Sequence, residues 1–79
     1  MYEQLLSYLK KSNGSFDYMQ EGERMEIRVR GKDWSPIRIS KVAYDCYCIS
    51  WAGVVYPRVN TETGFKRIRR LCQTITAGV

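Results

Sequence analysis

Apolar and polar residues change their period twice along this chain. Tyr2, Leu5, Leu6 and Leu9 fall at i, i+3, i+4 and i+7. That spacing lines one face of a helix and predicts an amphipathic helix over residues 2–12, with the stripe covering a sheet. Glu3 near its start and Lys10 and Lys11 near its end suit the helix dipole. Ser12-Asn13-Gly14 is expected to stop it, with Gly14 as a left-handed cap.

The period then becomes two. Phe16 and Tyr18 alternate with Ser15 and Asp17, and after Glu21-Gly22-Glu23 the residues Met25, Ile27 and Val29 alternate with Arg24, Glu26, Arg28 and Arg30. Such alternation marks half-buried strands, so residues 15–30 read as a hairpin in which Gly22 supplies a positive φ. Gly31 and Pro36 punctuate a loop that carries Trp34. Trp34 either folds back over the edge of the core or offers an exposed aromatic beside Arg30 and Lys32.

Residues 37–59 hold much of the β-branched and aromatic material and read as the centre of the sheet. Ile37-Arg38-Ile39 resumes the alternation, and Ser40-Lys41 and Tyr44-Asp45 read as bulges or turns. Cys46, Cys48 and Ser50 then share one face, with Tyr47, Ile49 and Trp51 on the other. Burying the larger face is worth more, at about 25 cal/mol per Å², which turns Cys46 and Cys48 outward. Ala52-Gly53 reads as a tight turn. Pro57 places the strand 54–59 at an edge or marks its non-bonded side.

The helical period returns at Phe65, Ile68, Leu71, Cys72 and Ile75, with Lys66, Arg67, Arg69 and Arg70 on the other faces. Residues 60–64 read as a loop, with Thr61 or Thr63 as N-cap. The expectation is one α+β domain over residues 1–79. It has an antiparallel sheet of four to five short strands, with an N-terminal and a C-terminal helix packed on one face. Double-stranded RNA-binding domains share the general order of helix, strands and helix, a likeness of layout that brings no motif.

Composition narrows the function. A chain of 79 residues buries about 60% of its unfolded surface, leaving little room for both a core and a deep cleft. It has no histidine, so Ser-His and Cys-His pairs are impossible, and the carboxylates sit in turns or on outer strand faces. No enzyme activity and no cofactor are expected. Cys46, Cys48 and Cys72 fall short of a four-ligand zinc set and read as packing residues, so no metal is expected either. The start of the chain has no signal-peptide pattern and no apolar run is long enough to span a bilayer. With an odd, low cysteine count this suggests a reduced, cytoplasmic protein with no membrane partner.

Charge points to a partner. Thirteen Lys and Arg oppose eight Asp and Glu, a net +5, and most of the cations are arginine. Arginine suits planar carboxylates and phosphates. The expected binding set is Arg28, Arg30, Trp34, Arg38, Arg58, Lys66, Arg67 and Arg70, with Tyr47, Trp51 and Tyr56 as further anchors if exposed. Two functions compete. One is a protein-binding inhibitor or adaptor, of the kind phages and mobile elements use to block a host nucleic-acid-handling machine, as anti-CRISPR proteins do. It would occlude a site on a protein or nucleoprotein partner with an acidic surface. The other is direct DNA or RNA binding through an arginine-rich sheet face and the C-terminal helix. The first is preferred, because direct readers of this size are usually more basic.

Overall fold

Every strand of this protein pairs with the strand before or after it in the chain. The computed structural model describes residues 1–12, 16–30 and 35–77, with residues 76 and 77 in backbone only. The order is α1 (Tyr2–Lys10), β1 (Phe16–Glu21), β2 (Arg24–Val29), β3 (Ile37–Ala43), β4 (Cys46–Trp51), β5 (Val54–Val59) and α2 (Thr61–Ala77). The strands form one antiparallel sheet in the order β1-β2-β3-β4-β5. The α+β fold with two terminal helices is therefore the expected one. The anticipated cap Gly14 and the loop aromatic Trp34 lie outside the described residues.

The turns set the register. Gly22 has φ +60° and Glu21 pairs with Arg24 across it, as a two-residue hairpin requires. At the β4–β5 turn both Ala52 (φ 50°) and Gly53 (φ 85°) are left-handed, the pattern of a type I′ turn. The register shifts between Lys41 and Ala43 on β3, and again where β5 passes Pro57. Pro57 therefore sits on an edge strand at an irregularity, where its missing N–H costs least.

One face of the sheet is the core face. Met25, Ile39 and Ile49 are buried in a cross-strand row that runs from Gln20 on β1 to Tyr56 on β5. Leu5 and Leu9 from α1 and Ile68, Cys72 and Ile75 from α2 close over this row and over Ile27, Ile37 and Tyr47. Each fully buried isoleucine contributes about 1.5–3 kcal/mol by leaving water. The larger face of β4 is inward, with Tyr47 and Ile49 buried and Trp51 packed partly on the core. Cys46 and Cys48 accordingly sit half-buried on the opposite face. This is the side expected from the size of the larger face, and of the three cysteines read as packing residues only Cys72 is fully buried.

Specific contacts seat both helices. Tyr2 meets Tyr47 edge-to-face at 5.7 Å and donates its hydroxyl to the Glu23 carbonyl, which also accepts the Lys41 N–H. Burial, with Tyr47 and Glu23 nearby, pushes the Tyr2 phenol up to about 12. α1 ends at Lys10 rather than residue 12, and Ser12 Oγ donates to the Tyr8 carbonyl just beyond it. α2 begins at Thr61, earlier than the sequence suggests, and neither Thr61 nor Thr63 is its cap. Asn60 Oδ1 accepts the Thr63 N–H at 2.8 Å, the N-cap bond, and Asp45 Oδ1 accepts the Thr61 N–H at 2.9 Å. Hydrogen bonding to Thr61 holds the Asp45 carboxyl below its usual range.

Gly64 lies inside α2 instead of in a loop. A Cβ there would sit 3.1 Å from Met1 Sδ, 3.3 Å from Val59 Cγ2 and 3.6 Å from Ile49 Cδ1. Its missing side chain lets α2 approach the β4–β5 end of the sheet closely. That approach offsets the roughly 0.5–1 kcal/mol that glycine costs in a helix.

Candidate basic interface on the C-terminal helix

The expected binding set divides between two opposite sides of the molecule. Arg28, Arg30 and Arg38 lie on the uncovered face of the sheet, while Lys66, Arg67 and Arg70 lie on α2, which covers the other face. They cannot form one surface. Arg58 is exposed on the edge strand β5.

On the uncovered face, register brings opposite charges together. Asp17 pairs with Arg28, Glu21 with Arg24 and Glu26 with Arg38 as direct cross-strand neighbours. Two ion pairs form. Arg28 Nη2 lies 2.7 Å from Glu26 Oε1, and Arg30 Nη2 lies 2.8 Å from Asp17 Oδ1. Four arginines (Arg24, Arg28, Arg30, Arg38) thus face three carboxylates (Asp17, Glu21, Glu26), a net +1. A shallow hollow of about 410 Å³ lies among Met19, Glu21, Arg24, Glu26, Arg38 and Ser40, carrying both signs of charge.

α2 is different. It holds Lys66, Arg67, Arg69 and Arg70 against Glu62 alone, a net +3. Its buried stripe is Gly64, Ile68, Cys72 and Ile75 at four-, four- and three-residue spacing. At 100° per residue, Lys66 and Arg70 therefore stand on the crest facing away from the sheet, with Arg67 and Arg69 on opposite flanks.

Both flanking arginines are stacked. The Arg67 guanidinium lies 4.0 Å over the Tyr56 ring on β5, and that of Arg69 lies 5.5 Å from the Phe65 ring centroid. Lys66 reaches Glu62 at 3.3 Å, an exposed i,i+4 pair of small energy. Among the described residues no carboxylate lies within ion-pair distance of Arg67, Arg69 or Arg70.

Of the aromatic anchors, Tyr47 is in the core, Trp51 packs partly against it, and Tyr56 lies beneath Arg67. The most exposed aromatic among the described residues is instead Tyr44 at the tip of the β3–β4 turn, 94% exposed, which sequence reasoning passed over as a turn residue. Arg69 was also left out of the expected set, although its helical phase beside Phe65 was readable. Cys72 is buried between α2 and the sheet, and burial pushes its thiol up to about 12, which keeps it protonated and inert. Among the described residues no group of three or more Cys, Asp or Glu is placed to hold a metal ion, and no helix is long and apolar enough to cross a membrane.

No protein family matches this chain, and neither does any curated protein or solved structure.

Proposed function

We propose that this chain is a small non-enzymatic binding protein, an inhibitor or adaptor that seats the outer face of α2 on an acidic surface of a partner protein. One observation carries this reading. Lys66, Arg67, Arg69 and Arg70 project from barely more than one helical turn with a single carboxylate, Glu62, on the same helix. The footprint favours a protein over a nucleic acid. Residues 66–70 span about 6 Å of helix axis, whereas a phosphate backbone needs cations repeated along its track. The uncovered sheet face does not extend that track, because Asp17, Glu21 and Glu26 stand among its arginines. In the anti-CRISPR-like form of this reading, the acidic surface belongs to a host nucleic-acid-handling machine.

The test is a pull-down from the native host with the wild-type chain and with the double variant Arg67→Glu/Arg70→Glu. A stoichiometric protein partner held by the wild type, released by the double variant and resistant to nuclease treatment is the expected result. Equal retention by both forms, or recovery of nucleic acid alone, would sink the proposal.

A further inference from the structure

We infer that Arg67 is the residue that selects the partner's chemistry: it is a fixed fork that receives an Asp or Glu carboxylate end-on, while Lys66 and Arg70 supply charge only. This rests on the acidic-partner reading above. An exposed arginine ordinarily samples many rotamers and loses that freedom when it binds. Arg67 has already lost it. Its guanidinium is held 4.0 Å over Tyr56, and Tyr56 is itself fixed by pairing with Ile49 in the row that crosses the sheet.

The edges of the guanidinium are not equivalent. Arg67 Nε is enclosed and has no hydrogen-bond partner, which leaves the two Nη groups as the edge able to meet a ligand. The end-on Nη pair is the geometry that matches both oxygens of a carboxylate. Trp51 Nε1 is enclosed and unpartnered as well, on the strand next to Tyr56. The enclosed Nε has no room for an acceptor from a partner, so a carboxylate that pairs with Arg67 has to reach its Nη edge. Lys66 and Arg70, on the crest, have no ring beneath them, and Lys66 also shares its charge with Glu62.

The full-length chain is titrated with an oligoglutamate peptide and, separately, with an oligonucleotide of equal charge, by calorimetry and by following the arginine Nε–Hε signals. The variants are Arg67→Lys and Arg70→Lys, both charge-preserving. The wild type is expected to bind oligoglutamate with a shift of the Arg67 signal. Arg67→Lys should weaken binding by about tenfold, and Arg70→Lys by less than about twofold. Equal small losses in the two variants would show that charge alone acts and would overturn the role of Arg67 while leaving the acidic-partner reading intact. Tighter binding of the oligonucleotide than of oligoglutamate, or no binding of either, would overturn the acidic-partner reading and this inference with it. Matching thermal midpoints for the wild type and both variants confirm that binding, not folding, was measured.

Discussion

The uncovered sheet face and the outer face of α2 each present four cations, yet they are different surfaces. On the sheet, the hairpin register sets Asp17 against Arg28, Glu21 against Arg24 and Glu26 against Arg38, so most of the positive charge is offset within one strand spacing. On α2, Glu62 alone opposes Lys66, Arg67, Arg69 and Arg70. The lesson is that a count of arginines does not describe a field. Pairing geometry decides which of them are available to a partner.

The largest effect should come from detaching α2. Ile68 is fully buried beneath that helix. Ile68→Ala should cost about 2–5 kcal/mol, a large fraction of the roughly 5–15 kcal/mol that holds such a domain together. A lowered urea midpoint with loss of partner binding would follow, and a midpoint unchanged from wild type would contradict the packing described. Next in size is the charge comparison itself. Arg67→Glu/Arg70→Glu should weaken partner binding by about 100-fold, against less than about threefold for Arg28→Ala/Arg38→Ala on the sheet face. Equal losses from the two pairs would erase the distinction between the surfaces.

Thiol labelling compares the two sides without altering charge. Cys46 and Cys48 are half-buried on the uncovered face, and Cys72 lies between the layers with its thiol pushed up to about 12 by burial. Iodoacetamide should modify Cys46 and Cys48 in the native protein and Cys72 only after denaturant is added, as read by intact mass. Acid should loosen the start of α2. The folded Asp45 carboxyl is held low by Thr61, so its contribution is fully present above the unfolded carboxylate value of about 3.9 and is lost as pH falls through the folded value. Thermal melts should therefore show Asp45→Ala less stable than wild type at pH about 7, with the gap closing as pH falls below about 4. The smallest effect belongs to the exposed Arg28–Glu26 pair. Arg28→Ala should change stability by no more than about 0.5 kcal/mol in a denaturant titration.

Much of the fold was legible because its signals are local. Alternation at Met25, Ile27 and Val29, and the stripe of Leu5 and Leu9, each identify an element and its buried face without reference to the rest of the chain. Which face of β4 is buried also followed from the size of Tyr47, Ile49 and Trp51. The start of α2 was misread because Thr63-Gly64 resembles a loop. Extending the stripe of Ile75, Cys72 and Ile68 back by four residues lands on Gly64, and Asn60 stands three residues before Thr63 as a cap should.

The candidate surface was less legible, since charge cancellation depends on which residues lie opposite each other across strands. A two-residue turn at Gly22-Glu23 would have fixed Glu21 against Arg24 and Asp17 against Arg28 in advance. The stacking of Arg67 on Tyr56 joins α2 to β5 through tertiary packing, which no local pattern reveals.

The unbroken sequence of neighbouring strands has a kinetic consequence. Because β1 to β5 follow one another in the sheet as they do in the chain, each pairing closes only a short loop. Isolated hairpins form in about 1–10 μs, so strand pairing is expected to run ahead of helix docking. Docking of the helices is then the expected late event. α2 gains its Asp45 hydrogen bond only once the β3–β4 turn exists, and α1 gains its Glu23 acceptor only beside the β1–β2 turn. The prediction is that the helix that carries the cations assembles on a finished sheet, so that a refolding experiment sees it arrive last.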